Sequence, residues 1–130
     1  VYYHSNSEKS VQLNYKKSKL NGLWTSWSEN GQKEEERTYR DGKGDGLWTK
    51  WYENGLKELD GTFKDGEKDG LQTQWYENGQ KEFKGTYKNG ELDGLQTTWY
   101  ENGHKWFEVI YKDGYVNSRK EWNKDGSVKE

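Results

Sequence analysis

The stretch GLWTKWYENGLKELDGTFKDGEKD, residues 46–69, is followed directly by GLQTQWYENGQKEFKGTYKNGELD, residues 70–93. Self-similarity at a fixed period is the sequence signature of a repeat architecture. Tryptophan is kept in the sixth position of both copies, whereas Trp48 in the third position is exchanged for Gln72. The pattern predicts a structural unit that is built several times, with at least one position that varies between copies.

The same period extends over most of the chain. Four columns keep a spacing of 24 residues: Gly22, Gly46, Gly70 and Gly94; Trp27, Trp51, Trp75 and Trp99; Gly31, Gly55, Gly79 and Gly103; Tyr39, Phe63, Tyr87 and Tyr111. Repeat arrays have atypical terminal copies. We therefore predict a single repeat domain over residues 1–130, composed of a degenerate copy 1–21, full copies 22–45, 46–69, 70–93 and 94–116, and a partial copy 117–130.

The composition indicates a folded chain without a conventional aliphatic core. Leu, Ile, Val and Phe together make up only 18 of 130 residues, but the chain has 8 Trp and 10 Tyr and a net charge of only -2. A disordered chain of low hydrophobicity would have a larger net charge and few aromatics. Aromatic rings must therefore supply most of the buried apolar area.

Each copy reads as two β-strands. The segment LWTKWY alternates and is rich in β-favouring residues, and LKELDGTFK alternates more weakly. Turn words, YENG and then FKDG or YKNG, separate the strands. Both words suit a type I turn followed by a left-handed glycine, and the alternative is a two-residue Asn-Gly or Asp-Gly turn.

Strand register favours the three-residue loop at both turns. That loop predicts four pairs in one hairpin: Tyr52 with Leu56, Trp51 with Lys57, Thr49 with Leu59, and Leu47 with Gly61. At the next turn it pairs Phe63 with Glu67. One face then collects Leu47, Trp51, Leu59, Phe63, Leu71, Trp75, Phe83 and Tyr87, whereas a two-residue turn would scatter this set over both faces.

The predicted fold class is all-β, an elongated repeat array of antiparallel β-hairpins in a single twisted meander sheet. The pairing rule offsets equivalent strands by 22 residues against a repeat of 24. Each copy is therefore expected to slide by about two residues, or about 7 Å. On the predicted packed face we expect Trp27, Trp51, Trp75, Trp99, Phe63 and Tyr87 to be structural.

The words DGLWTKWYENGLKELDGTFKDGEKDG resemble the bacterial variant of the MORN repeat, over about residues 3–126. Arrays of this kind are often labelled antitoxins of the YwqK family. The resemblance implies an elongated sheet of hairpins that is used for protein or surface interaction, without catalysis. The first copy departs from the pattern, as expected of a cap.

The parity of the strands places a second set of aromatic residues on the opposite, open face. This set consists of Trp24, Trp48, Tyr52, Tyr76 and Tyr100. An exposed aromatic patch marks an interaction site, although these rings could instead only cover one another across strands. We predict this set as the partner-binding site, with Trp24 and Trp48 as its strongest members.

Metal and catalytic readings have weak support. Asp65, Glu67 and Asp69 imitate the start of a calcium loop, but the twelfth position is Tyr76 rather than the bidentate Glu that the loop requires. Only two histidines, His4 and His104, are present, and cysteine is absent. We therefore expect no metal, no cofactor, no catalytic residue and no enzyme activity.

Two functions remain open. The first is a non-catalytic scaffold that binds another protein or a surface. The family resemblance implies an antitoxin-like or immunity-like role for such a scaffold. The second is a carbohydrate- or cell-envelope-binding module that uses the aromatic ladder. Residues 22–116 carry a net charge of -6, so nucleic acid is not an expected partner, because nucleic-acid binders need a basic face.

The composition also bears on the location of the chain and on its association with other chains. No apolar run reaches the roughly 20 residues of a membrane span. The absence of cysteine is compatible with an oxidising compartment, and an exported location at the periplasm or cell surface is expected over the cytoplasm. Basic residues near the ends are expected to protect the edges of an elongated monomer against strand addition: Lys9, Lys16, Lys17, Lys19, Arg119, Lys120 and Lys124.

Overall fold

A computed structural model describes residues 2–3 and 9–130, with side chains from Val11 onward. The described chain is all-β. Its fourteen strands are β1 (Tyr2–Tyr3), β2 (Lys9–Gln12), β3 (Tyr15–Lys16), β4 (Lys19–Leu20), β5 (Gly22–Trp27), β6 (Lys33–Arg40), β7 (Lys43–Trp51), β8 (Lys57–Lys64), β9 (Glu67–Lys68), β10 (Gly70–Trp75), β11 (Lys81–Lys88), β12 (Glu91–Trp99), β13 (Lys105–Lys112) and β14 (Tyr115–Glu121).

The strands form one antiparallel meander. Eleven of them follow the order β1-β2-β5-β6-β7-β8-β10-β11-β12-β13-β14, while β9 pairs with β8 beside β10, and β3 pairs with β4 in a separate small sheet. The predicted all-β array of antiparallel hairpins is therefore confirmed. His4, one of the two histidines in the sequence, lies outside the described residues.

The first turn of each copy is the predicted three-residue loop. The amide of Tyr52 donates to the carbonyl of Leu56 at 2.8 Å, and the amide of Gly55 donates to the carbonyl of Tyr52 at 3.0 Å. Gly55 has a φ of +84°, which is the left-handed conformation that glycine adopts without steric cost. The Asn54 side chain accepts the Leu56 amide at 2.9 Å and completes the turn.

The second turn is different, and its prediction was wrong. Lys64 pairs with Glu67, and Phe63 pairs with Lys68 rather than with Glu67. Asp65 (φ 49°) and Gly66 (φ 84°) are both left-handed, which is the two-residue type I′ turn. Asp and Asn tolerate this conformation better than other side chains, so the Asp-Gly and Asn-Gly pairs of the array suit it.

A bulge in the first hairpin reverses the predicted faces. Trp51 lies opposite Lys57 as expected, but Lys50 then lies opposite Leu59, so that Glu58 is an extra residue. The predicted pairs of Thr49 with Leu59 and of Leu47 with Gly61 are wrong by one residue. Because side chains alternate along a strand, a shift of one residue moves the whole hydrophobic set to the other face.

The predicted slide between copies is also wrong. Thr49 lies opposite Asp60, and Asp60 lies opposite Thr73 on its other side. Equivalent strands are thus aligned with an offset of 24 residues, equal to the repeat. Relative to the predicted pairing, the two-residue second turn adds one residue to this offset, the irregular stretch before β10 adds two, and the bulge at Glu58 removes one.

The corrected register defines two faces. We call one the aromatic face; it contains Trp24, Arg37, Trp48, Leu59, Phe63, Gln72, Phe83, Tyr87, Gln96, Phe107 and Val109. We call the other the leucine face; its outermost row is Leu23, Leu47, Leu71, Leu95 and Ile110. The predicted packed face is therefore split, because Leu47, Trp51, Leu71 and Trp75 lie opposite the side that holds Leu59, Phe63, Phe83 and Tyr87.

Burial is modest because the sheet is a single layer. Among the described residues, the buried hydrophobic side chains are Leu59 and Val109, and the buried polar ones are Thr25, Gln72, Thr73, Gln96 and Thr97. The accessible surface is 8667 Å², against about 7,200 Å² expected for a compact monomer of this mass.

The ends of the sheet only partly match the edge prediction. Arg119 and Lys120 lie on the terminal strand β14, but Lys16 and Lys19 lie on the separate β3–β4 hairpin, with Lys17 in its turn. After β14 the chain folds back: Trp122 bridges Val128, and the Lys129 amide donates to the Glu121 carbonyl at 2.9 Å. The partial last copy therefore covers one end of this edge strand.

Candidate interaction surface

Trp24 and Trp48 are brought together by a cation on the strand between them. The Arg37 guanidinium lies 5.5 Å from the Trp24 ring centre and 5.0 Å from that of Trp48. Glu35 accepts the Trp48 indole N–H at 2.6 Å and the Arg37 Nε at 2.5 Å. Phe63 covers Trp48 further along the sheet, with ring centres 5.3 Å apart. Both tryptophans are half-buried, and their binding role remains a prediction.

The exchange of tryptophan for glutamine follows the residue on the neighbouring strands. Where the array has Arg37, tryptophans stack on it. Trp48 lies opposite Gly61 on its other side, whereas Gln72 has a glycine on both sides. Gln72 lies opposite Gly85, and its side chain folds over Gly61, where a Cβ would stand 1.9 Å from Gln72 Oε1. Gln72 is 2% exposed, and its Nε2 donates to the Thr62 carbonyl at 2.9 Å. The variable third position is thus part of the packing of the aromatic face.

The tyrosines of the YENG words connect successive copies. The hydroxyl of Tyr52 donates to the carbonyl of Trp75 at 2.6 Å, and that of Tyr76 to the carbonyl of Trp99 at 2.7 Å. Tyr100 repeats the contact with the carbonyl of Trp122 at 2.9 Å. Every predicted tyrosine of the binding set therefore has an intramolecular role.

The surroundings of these tyrosines favour the neutral hydroxyl. Burial, followed by the nearby carboxylates of Glu58, Glu82 and Glu77, raises the pKa of Tyr52 above its ordinary value. Burial and then Glu82 and Glu101 raise the pKa of Tyr76 in the same way. Because a neutral hydroxyl is required to donate, both shifts stabilise the links between copies.

Asparagine side chains add a second link at the same turns. Asn54 Nδ2 donates to the Glu77 carbonyl at 2.9 Å, and Asn78 Nδ2 donates to the Glu101 carbonyl at 3.0 Å. Asn102 makes the equivalent contact with Lys124 at 2.7 Å. The YENG turns therefore reverse the chain and also connect each copy to the next.

The opposite face carries an exposed aliphatic row, of which Leu47 and Leu71 were predicted to lie on the packed face. Its exposed fractions are Leu23 46%, Leu47 63%, Leu71 50%, Leu95 53% and Ile110 42%. Leu47 lies opposite Thr62, and Leu95 lies opposite Ile110. A leucine that recurs every 24 residues was the sequence signal for this row. Because the bulge was not predicted, Leu47 and Leu71 were assigned to the wrong face.

Beside this row the leucine face becomes polar. Thr25, Thr73 and Thr97 are buried there, beneath longer side chains of the neighbouring strands. Lysines pair with acidic residues three positions on: Lys33 with Glu36, Lys57 with Asp60 at 3.2 Å, and Lys105 with Glu108. The half-buried row of Trp27, Trp51, Trp75 and Trp99 follows, each opposite a lysine. Their expected structural role remains a prediction.

A second aromatic feature lies near the end of the chain. Trp106 occupies the position that holds Glu58 and Glu82 in earlier copies. It stacks on Tyr100 with ring centres 5.0 Å apart and an interplanar angle of 17°, and 39% of its side chain is exposed. Sequence reasoning missed this pair because it followed the repeated columns, whereas Trp106 departs from one.

The residues considered for metal binding and catalysis take part in turns. Asp69 Oδ1 accepts the amide of Asn89 in the next copy at 3.5 Å. His104 takes the place of Gln80, and its amide donates to Asn102 Oδ1 at 3.0 Å. Among the described residues, no group of three or more His, Asp or Glu side chains is placed to hold a metal ion. That part of the chain also has no helix long and apolar enough to cross a membrane.

Comparison with known proteins agrees with the repeat. Four segments match the family model described as the MORN repeat variant: residues 20–41, 44–65, 68–89 and 92–113. They cover about two thirds of the chain and fall on the four full copies. No curated protein matches the sequence.

Proposed function

Because the chain belongs to the MORN repeat variant family, whose repeats generally serve as binding scaffolds, we propose that it binds another protein along its leucine face. The observation that carries the proposal is the row of five aliphatic side chains with exposed fractions of 42–63%. Exposed apolar side chains that are grouped on one face mark interaction sites.

The geometry of the row supports a protein partner. Leu23, Leu47, Leu71 and Leu95 lie on every second strand of the meander, so they are spaced by about 9.6 Å along about 29 Å. Lysine and carboxylate side chains border the row, which gives it the apolar centre and polar rim of a protein interface. A partner that is extended across the strands would meet equivalent contacts in each copy.

The family supports a role without catalysis. Its repeat is a non-catalytic one. Several carboxylates described above pair with lysines or accept turn amides, such as Asp60 with Lys57 and Asp69 with the Asn89 amide. Both observations support binding of the partner without conversion.

Photo-crosslinking tests the proposal. A photoreactive phenylalanine analogue at Leu71 should crosslink one defined protein in cells that produce this chain, and the double substitution Leu47→Glu, Leu95→Glu should abolish that product. The matched control places the same analogue at Lys84, on the polar part of the same face. Equal products from Leu71 and Lys84, or a product that survives the double substitution, would contradict the proposal.

An antitoxin-like or immunity-like role is a finer form of the same proposal. It has support only from the resemblance of the repeat words, and covering the active surface of a partner is what such a role requires. Growth rescue on co-expression with the crosslinked partner would support it. A partner that is harmless when produced alone would exclude it.

Carbohydrate binding is the second candidate. The observation in its favour is the stacked pair of Trp106 and Tyr100, which lines an open cavity of about 560 Å³ together with Asn102 and Lys124. Trp106 is a better platform than Trp48, whose faces contact Arg37 and Phe63. Saturable glycan binding that is lost in Trp106→Ala and kept in Trp48→Phe would favour this candidate over the first.

A further inference from the structure

One position of the array lacks the tyrosine that links copies. The first full copy has Ser28 where the following copies have Tyr52, Tyr76 and Tyr100. The Ser28 hydroxyl contacts its own turn, at Asn30 Oδ1 and at the Gln32 carbonyl. It does not reach the Trp51 carbonyl, which corresponds to the acceptors of the other three tyrosines.

The asparagine link is missing at the same junction. Asn30 Oδ1 accepts the Gln32 amide at 3.1 Å, as its counterparts do in their turns. Among the described residues, however, no bond joins its Nδ2 to the carbonyl of Glu53, whereas Asn54, Asn78 and Asn102 all make that contact. At this end of the described sheet, the first and second copies therefore lack both the tyrosine link and the asparagine link.

An open cleft lies beside Ser28, where the other copies have a tyrosine ring. It has a volume of about 290 Å³, and its lining includes Ser28, Lys50, Trp51, Tyr52 and Glu53. Trp51 and Glu53 correspond to groups beside the tyrosines of the next two copies: Trp75 and Glu77 beside Tyr52, and Trp99 and Glu101 beside Tyr76. At three equivalent positions, a phenol ring fills this space and its hydroxyl donates to a tryptophan carbonyl.

We infer that this cleft is a binding site for a tyrosine side chain of a partner protein, with the phenol hydroxyl donating to the Trp51 carbonyl. The occupant completes the ladder that Tyr52, Tyr76 and Tyr100 continue. The site lies on the aromatic side of the sheet, away from the leucine row. It rests on the proposed function only in that the occupant belongs to a protein partner.

The test uses p-cresol, the side chain of tyrosine, and the full-length chain. Saturable binding should raise the Tm of the wild type and shift the backbone amide signals of Ser28, Trp51 and Tyr52 in NMR spectra. Ser28→Tyr should raise the Tm by itself and remove the response to p-cresol. Tyr52→Ser should create a second site of the same kind, with amide shifts at Trp75.

Two matched probes sharpen the result. 4-Methylanisole has the same ring without the donor and should bind about 5-fold more weakly, the effect of one neutral hydrogen bond. N-acetyl-tyrosine amide should compete with p-cresol, and glucose should not. Absence of saturable p-cresol binding, an unchanged response in Ser28→Tyr, or competition by glucose would each overturn the inference. None of these results bears on crosslinking at Leu71, so the two proposals fail separately.

Discussion

At the scale of single residues, the absence of a side chain at Gly61 allows Gln72 to pack over the backbone of the aromatic face. Gly61 is extended rather than left-handed, so its backbone would accept alanine. A substitution at Gly61 lowers stability because the Gln72 side chain already fills the space above the backbone. The sequence analysis did not predict this contact, because the predicted pairing of Phe63 with Glu67 does not bring Gln72 opposite Gly61.

Gly61→Ala should destabilise the protein by about 1–3 kcal/mol, the range for overpacking in a well-packed region. The new Cβ displaces Gln72, whose Nε2 then loses its bond to the Thr62 carbonyl. Urea unfolding measures the effect. The same substitution in a Gln72→Ala background should cost much less, and equal costs in both backgrounds would contradict the contact.

Trp48 shows how one bulged residue changes the interpretation of a side chain. Sequence reasoning placed it on the open face and Trp51 on the packed face. The structure places Trp48 against Arg37 and Phe63. The sequence shows which residues occupy the third position of each copy, but it does not show that Glu58 is an extra residue in its strand.

Trp48→Ala should therefore destabilise by about 2–3 kcal/mol, somewhat below the value for a fully buried tryptophan because the ring is half-buried. Trp48→Phe should recover most of the loss, since a ring still covers Arg37. Thermal and urea unfolding of the two variants decide this. A Trp48→Ala variant as stable as the wild type would mean that the stack on Arg37 contributes little.

At the scale of elements, the hairpins were predictable from local chemistry and their register was not. Gly55 after Asn54 identified a three-residue turn correctly. Asp65 and Gly66 were compatible with two turn types, and the wrong one was chosen because it kept a single hydrophobic parity. The two-residue second turn and two irregularities in each copy together give the 24-residue alignment, which a pairing rule that assumes regular strands cannot predict.

The tyrosine links predict a loss of stability at high pH. The pKa values of Tyr52 and Tyr76 are raised in the folded state, chiefly by burial. Their contribution is therefore fully present below the ordinary tyrosine pKa of about 10 and is lost as the pH rises through the folded-state values. Each link should be worth about 1 kcal/mol at neutral pH.

The double substitution Tyr52→Phe, Tyr76→Phe isolates this effect. It should lower the free energy of unfolding at pH 7 and flatten its decrease above about pH 10, relative to the wild type. Tyr115→Phe is the control, because Tyr115 is 79% exposed. Parallel stability curves for the wild type and the double variant across the alkaline range would show that the two hydroxyls are not coupled to folding.

At the scale of the whole molecule, the single layer makes the shape and the two ends testable. Eleven strands at about 4.8 Å give a sheet roughly 50 Å long, for which the radius of gyration is about 17 Å. A compact domain of 130 residues would have about 14 Å. Small-angle scattering distinguishes these values and should give the larger one, with a molecular mass of one chain.

Salt separates the two explanations of the basic end. Arg119 and Lys120 on β14 either discourage the addition of another strand or meet the acidic middle of a second chain. We expect the first, because exposed ion pairs contribute little by themselves. Arg119 lies over the Phe107 ring at 5.2 Å and Lys120 over the Trp122 ring at 5.1 Å, so both charges already have partners within the chain. The scattering mass should then stay monomeric from low to moderate salt, and Arg119→Ser, Lys120→Ser should self-associate at any salt concentration. A wild-type dimer that dissociates as the salt concentration rises would instead support head-to-body association.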